Sequence, residues 1–389
     1  MNFIYSNSET KFKLFSTLIR KQSISRSDLA QILNLTRASV SNIVSELKKK
    51  NLIIESDKIS GGVGRKKILL EVNSDALYVI GIEFERKSFT AGIYNLSGKL
   101  LKHLKHKFYQ IQSIEDILKD VENSVVSLLS WAQKKNINVS AIGIGIPGPV
   151  DPEEGVIYNV PYFLDNKKYG LKLEFEKRFG IPTFIEKDAN AAALGEFWYG
   201  IGRNYNSFVY LLMVEGIGAG LILNQSIYRG INGLAGKVGK FLFLNENKKA
   251  TPFEKYGGEL SILNLICHYS HKSPFYSKIL KERDIKISDF IDGVKRKDTI
   301  SLKVLNEIEY YIALIISNII YLLDPNLIII GGDLINVKDD FSKDIEKLTK
   351  NIIKDHPMPE IKKSGIYNMS ISLGGATRAF MEIISTLLK

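Results

Sequence analysis

Over the first fifty residues apolar side chains recur every three or four positions, the spacing that places them on one side of an α-helix. Phe12, Leu14, Phe15, Leu18 and Ile19 predict a helix over 11–20, and Leu29, Ile32 and Leu33 predict a second over 26–33 with all three turned inward. Ser25 followed by Asp28 is a capping-box start for that second helix. Asn34 suits the left-handed residue that closes it, and Thr36 caps a third helix whose inward positions are Val40, Ile43, Val44 and Leu47. Two short helices joined by a tight turn form a helix-turn-helix. Predicted strands at 52–55 and 68–72 then flank Gly61-Gly62-Val63-Gly64-Arg65-Lys66-Lys67, a hairpin with a basic tip, or wing.

After a short connector at 73–77 the pattern changes to alternating strands and helices, the mark of an α/β unit. Strands at 78–84, 89–95 and 140–146 enclose a helix over 114–134. Strands at 207–214 and 219–223, a helix over 302–323 and a strand at 327–330 repeat the order. Two lobes that each open with a hairpin describe the actin-like, ribonuclease H-like architecture of sugar kinases. The expected organisation is a winged helix-turn-helix over 1–72, the connector, and a two-lobed domain over 78–389. Its first lobe covers about 78–186 plus the C-terminal helix, and its second about 187–375. Tyr310–Leu323 is the most apolar run, but a bilayer needs about 20 residues. Ser317 and Asn318 interrupt it, so a buried helix and no membrane partner are expected.

Composition agrees with at least two cored units and excludes disorder, since 389 residues carry 45% hydrophobic side chains. The net charge of +11 is concentrated: residues 1–70 hold 13 Lys+Arg against 5 Asp+Glu, so this end alone accounts for +8. A basic module of this kind suits a polyanion. The single cysteine, Cys267, forbids an intrachain disulfide and fits a reducing cytoplasm. Met1 to Lys11 contains no apolar stretch of signal-peptide length.

Off its apolar stripe the third helix carries Arg37, Ser39, Ser41, Asn42 and Ser45, short polar or guanidinium groups rather than the Glu/Lys pairs of a solvated face. Such side chains approach base edges in a major groove, while glycines and Arg65 at the wing tip approach phosphates or a minor groove. The candidate contacts to double-stranded operator DNA are Ser25, Thr36, Arg37, Ser39, Ser41, Asn42, Arg65 and Lys66. A helical dimerisation module with solvated lysines explains neither the wing nor this face.

Glycine clusters close several predicted strands: Gly143-Ile144-Gly145-Ile146-Pro147-Gly148-Pro149-Val150-Asp151, Gly216-Ile217-Gly218-Ala219-Gly220 and Gly331-Gly332. Each could face phosphate or simply form a tight turn. Together with Asp188-Ala189-Asn190-Ala191-Ala192-Ala193-Leu194-Gly195-Glu196, Gly230–Gly236 and Gly374–Arg378, they resemble the ROK family of bacterial repressors and sugar kinases over nearly the whole chain. The winged helix in front is similar to the xylose-repressor type within that family.

The resemblance implies that Asp188 matches the family's general base, which accepts a sugar hydroxyl proton during phosphoryl transfer. An effector ligand or a helix cap is the other reading of the same residue. It also implies lost catalysis. Glu83-Phe84-Glu85-Arg86-Lys87-Ser88 stands where kinases have a glycine-rich phosphate turn, and Glu215 puts a carboxylate where phosphate oxygens belong. Lys237 and Lys240 replace the family's sugar-holding Glu and zinc-binding His, Lys187 replaces an Asn, and Glu254 keeps the other sugar-binding Glu. Effector-binding candidates are therefore Lys187, Asp188, Lys237, Lys240 and Glu254, and three lysines suit an anionic sugar derivative unless they pair with Asp188 and Glu254. No catalytic residue, metal or cofactor is expected. Cys267, His268 and His271 read as ordinary helix residues. The expected function is a repressor acting on sugar-utilisation genes as a homodimer or homotetramer. A regulator controlled by a protein partner and a bifunctional sugar kinase are the competing readings.

Overall fold

The computed structural model describes residues 7–56, 68–85, 88–108, 114–158, 168–244 and 247–389. The wing tip with Arg65 and Lys66, and Arg86 and Lys87 of the first-lobe turn, lie outside the described residues.

Three helices open the chain: α1 (Asn7–Lys21), α2 (Arg26–Leu33) and α3 (Arg37–Lys49). Strand β1 (Ser23–Ser25), which the periodicity does not announce, precedes α2, and β2 (Ile53–Ser56) and β3 (Leu69–Val72) follow α3. The three strands form one antiparallel sheet with β3 in the middle. Asn34 ends α2 at φ 53°, ψ 46°, as expected of a left-handed cap. Ile32 is a correction: it is exposed, and Ala30 is buried in its stead. At 100° per residue Leu29, Ala30 and Leu33 share one side of α2, and Ile32 falls outside that arc.

The connector is a hydrogen-bonded turn, with the Asp75 N–H donating to Asn73 Oδ1 at 3.2 Å. The sheet that follows takes β4 (Tyr78–Phe84), β5 (Ser88–Asn95) and β6 (Leu100–Lys107) as an antiparallel meander. Strand β7 (Val139–Ile146) and the strand Thr183–Lys187 join it in parallel on the other side of β4. Helix α4 (Ile114–Lys134) covers one face over a core of Ile80, Ile82, Ile142, Ile144 and Ile185. Helix α5 (Leu171–Phe179) adds Leu171 and Phe175 to that core.

The opposite face receives the terminal helix Ser370–Leu387 and α6 (Asp188–Trp198). Gly143 of the first cluster, and Gly81 paired beside it, make room for this. A Cβ on Gly81 would lie 2.2 Å from Ser372 O, and one on Gly143 would lie 1.9 Å from Gly375 O. The column of missing side chains lets a helix backbone rest on the sheet, so these glycines are packing devices rather than a phosphate cradle.

Two compact units result, Met1–Asn204 with Met369–Lys389, and Tyr205–Asn368. The expectation that the second lobe begins near residue 187 is corrected. Helix α6 packs on the terminal helix, with Ala191 and Gly195 in backbone contact with it, and the terminal helix rests on the first sheet, so α6 stays with the first unit.

The second unit repeats the build. Strands Phe208–Met213 and Ile217–Leu223 form an antiparallel hairpin, and Leu327–Gly331 and Glu360–Lys363 continue the sheet in parallel. The helix Thr299–Leu323 is long and apolar enough to cross a membrane by length and composition. Here Val304, Ile308, Ile312, Ile316 and Ile320 of that helix are buried in the unit's own core.

Candidate nucleic-acid interface and effector site

In the winged-helix module Val40, Ile43, Val44 and Leu47 bury one side of α3. That burial turns Thr36, Arg37, Ser39 and Asn42 to solvent and leaves Ser41 half-buried. The Thr36 hydroxyl accepts the Ser39 N–H at 3.1 Å, which starts the helix and fixes where Arg37 emerges. Two of the module's carboxylates are paired within it: Glu46 with Lys11 at 2.7 Å, and Glu55 with Lys48 at 2.6 Å and Arg26 at 2.7 Å. A helix face with exposed hydroxyl, amide and guanidinium groups is chemically fit to read base edges.

Ser25 does not belong to this face. It is 3% exposed, accepts the Asp28 N–H at 3.2 Å and donates to the Asp28 carboxylate at 2.7 Å. Its hydroxyl is spent on the start of α2, so its assignment as a DNA contact is withdrawn.

In the first unit the carboxyl ends of three parallel strands bring polar residues together. Glu83 and Glu186 flank Gly145 in register, and Lys187 and Asp188 lead into α6. Lys187 is buried, and Asp188 is half-buried with one carboxylate oxygen accepting the Ala189 N–H at 2.6 Å. Asp188 is itself the first helical residue rather than the cap that precedes it. Burial pushes the Asp188 carboxyl above its ordinary range, against the Ala189 N–H and the Lys187 charge.

Glu83 is the residue that sequence reasoning passed over. It is buried, and its carboxyl is pushed up to about 8, first by burial and then by the charge of Glu85, with Lys105 opposing. The available signal was its place in β4, where Gly81 and Glu83 alternate with Ile80, Ile82 and Phe84. Glu85, two residues on, is exposed; it accepts a short hydrogen bond from the Ser88 hydroxyl and pairs with Lys105 at 3.4 Å.

In the second unit a short 3-10 turn, Val238–Lys240, sits beside the strand Ile217–Leu223. Lys237 precedes this turn and Lys240 ends it. Gly239 fits where a Cβ would meet Ile217 O at 2.5 Å and Glu254 Oε2 at 3.3 Å, which places the turn against Glu254. Lys240 Nζ lies 2.6 Å from Glu254 Oε1, so one of the three lysines already has an anionic partner. Among the described residues no group of three or more His, Cys, Asp or Glu is placed to hold a metal ion. Cys267 is exposed on the helix Glu259–Tyr269.

The ROK family profile matches residues 79–377, and a winged helix-turn-helix DNA-binding profile matches residues 7–54. The xylose repressor of Bacillus subtilis is 25% identical over 83% of this chain and 81% of its own length. That of Staphylococcus xylosus is 35% identical over 64% of each. The transcriptional dual regulator NagC of Escherichia coli K12 is 26% identical over 80% of this chain and 77% of its own. Among solved structures, a ROK transcriptional regulator homologous to the E. coli Mlc protein superposes with a TM-score of 0.77 over 98% of both chains at 22% identity. A ROK glucokinase from Streptomyces griseus gives 0.67 over 77% of this chain and 98% of its own, at 21% identity. The chain belongs to the ROK family, and the winged helix-turn-helix ahead of its family domain makes it a DNA-binding transcriptional regulator.

Proposed function

We propose that the chain is a repressor of sugar-utilisation genes that binds a palindromic operator as a homodimer or homotetramer and is released or retained by a sugar-type effector. The observation that carries this reading is the exposed Arg37, Ser39 and Asn42 face of α3, on a module joined to a ROK domain. Relatives named for xylose and for N-acetylglucosamine repression support a carbohydrate effector. In this reading Arg65 and Lys66 contact the DNA backbone, and Lys187, Asp188, Lys237, Lys240 and Glu254 hold the effector.

The effector is proposed to be anionic, a sugar acid or a phosphorylated sugar. Lys187, Lys237 and Lys240 outnumber the carboxylates Asp188 and Glu254 among the candidates, and an anion would offset that excess of positive charge. The Lys240–Glu254 pair favours a second reading, in which lysines neutralise the residual acids and the ligand is neutral or replaced by a protein partner. Titration calorimetry with D-gluconate, glucose 6-phosphate and D-xylose separates them. Anion binding that Lys237→Ala abolishes supports the first reading. Equal binding of D-xylose to both proteins, or no binding at all, supports the second.

Phosphotransfer is not part of the proposal, because Glu85 and Glu215 stand where the kinase phosphate turns would be. ATP-dependent phosphorylation of glucose, xylose or an N-acetylated hexosamine above an Asp188→Asn control would overturn that exclusion.

A further inference from the structure

Helix α1 has buried polar residues that a winged helix on its own does not require. Ser16, Thr17 and Arg20 are 9%, 5% and 6% exposed, and they share α1 with the apolar residues that face α2 and α3. Arg20 is covered by the far end of α6 and the 3-10 turn that follows it. The Arg20 guanidinium lies 4.2 Å over the Phe197 ring, and its Nε donates to Arg203 O at 2.9 Å. Phe12 packs on Trp198 with ring centroids 6.5 Å apart. Burial lowers the Arg20 side chain to about 10.

The same helix begins at Asp188. Its eleven residues span about 16 Å. From Ala189 to Trp198 every one of them is buried. It is clamped to the terminal helix without intervening side chains: a Cβ on Gly374 would lie 1.7 Å from Ala191 O, and one on Gly195 would lie 2.9 Å from Ser370 O. Two helices in backbone contact cannot absorb a shift by side-chain rearrangement, so displacement at one end is carried to the other. The terminal helix reaches the DNA-binding module as well, since Lys50, just past α3, donates to Leu387 O at 2.7 Å.

We propose that α6 links the effector end of the first unit to the DNA-binding module, and that Phe12, Arg20, Phe197 and Trp198 are the positioning residues through which it sets the placement of α1 and α3. This rests on the effector assignment of Asp188 made above. None of the four touches base edges or effector. They act through the seat of α1.

A double-mutant cycle on the full chain tests the coupling without knowledge of the effector. The probe is a duplex selected from a random library by the wild-type protein. Asp188→Asn is expected to change affinity for that duplex by about threefold or more, and by less than about 1.5-fold when Phe12→Ala or Arg20→Gln is also present. Independent, multiplicative effects overturn the proposal, and so does an Asp188→Asn variant that binds like wild type. Phe12→Leu and Arg20→Lys keep the bulk and the charge, and they replace the first pair if thermal unfolding shows those variants misfolded. In a parallel arm, duplex affinity is measured with D-gluconate, glucose 6-phosphate or D-xylose. Silence of wild type toward all three counts against the effector reading, whereas additivity in the cycle counts against the link.

Discussion

Helices α1 and α3 carry the same apolar spacing, yet their polar sides end in opposite surroundings. Arg37, Ser39 and Asn42 of α3 face water, whereas Ser16, Thr17 and Arg20 of α1 face protein. Periodicity identifies the side of a helix that packs in its own module. It does not say whether a second body covers the other side. The partner of α1 is identified by the structure, where Arg20 meets α6, while the exposed face of α3 is the one proposed to meet DNA.

The largest expected effect tests whether α1 is a two-sided core element. Phe15→Ala should cost about 3–5 kcal/mol of stability in denaturant unfolding, because Phe15 is fully buried and its loss leaves a cavity. A cost below 1 kcal/mol, on the order of an exposed position, would break the contrast with α3.

Arg37→Ala and Asn42→Ala should each cost about 1–3 kcal/mol in operator binding and relax preference at particular base pairs. Thermal unfolding should stay within about 0.5 kcal/mol of wild type. A uniform loss on every sequence would move these residues from base reading to phosphate contact.

Arg20→Ala should do the reverse. Leaving Arg203 O without its donor should lower stability by about 1–3 kcal/mol, while base preference in a selection experiment stays that of wild type.

Glu83 and Glu85 repeat the contrast within one strand end, and pH sharpens it. In the folded chain the Glu83 carboxyl is raised from 4.5 to about 8. Between those values the folded chain keeps a proton that the unfolded chain has released. Stability is therefore full below about pH 4.5, falls as pH rises, and levels off above about 8, with Asp188 adding a drift of the same sign. Glu83→Gln should remove a slope of at most about 1.4 kcal/mol per pH unit. Glu85→Gln removes the second of the two causes, so it should keep a slope of the same sign and draw its upper end below about 8. Unfolding curves from pH 5 to 8.5 would decide, and equal slopes for Glu83→Gln and wild type would refute the assignment.

Much of this fold was legible because local chemistry and tertiary structure agree. The caps Ser25, Asn34 and Thr36 stand where spacing put them, and the hairpins opening each lobe follow from strand alternation. Three features were not legible. The role of Gly81 and Gly143 depends on a helix more than two hundred residues later, Ser370–Leu387, resting on them. Ser25 reads equally as a DNA contact and as a cap until its burial is known. The allegiance of α6 to the first unit rests on small residues that suit any close helix contact. Of the effector candidates, the Lys240–Glu254 pair follows the alternative raised from the charges themselves.

The chain contains two tryptophans, and they stand in different surroundings. Trp131 is half-buried on α4; Trp198 is 1% exposed at the seat of α1, with an indole N–H that has no hydrogen-bond partner. Iodide should therefore quench Trp131 and spare Trp198. With Trp131 replaced by Phe, the emission colour of Trp198 becomes an optical gauge of whether α1 is seated. The protein thus carries its own probe at the joint between its DNA-binding module and the sheet behind it.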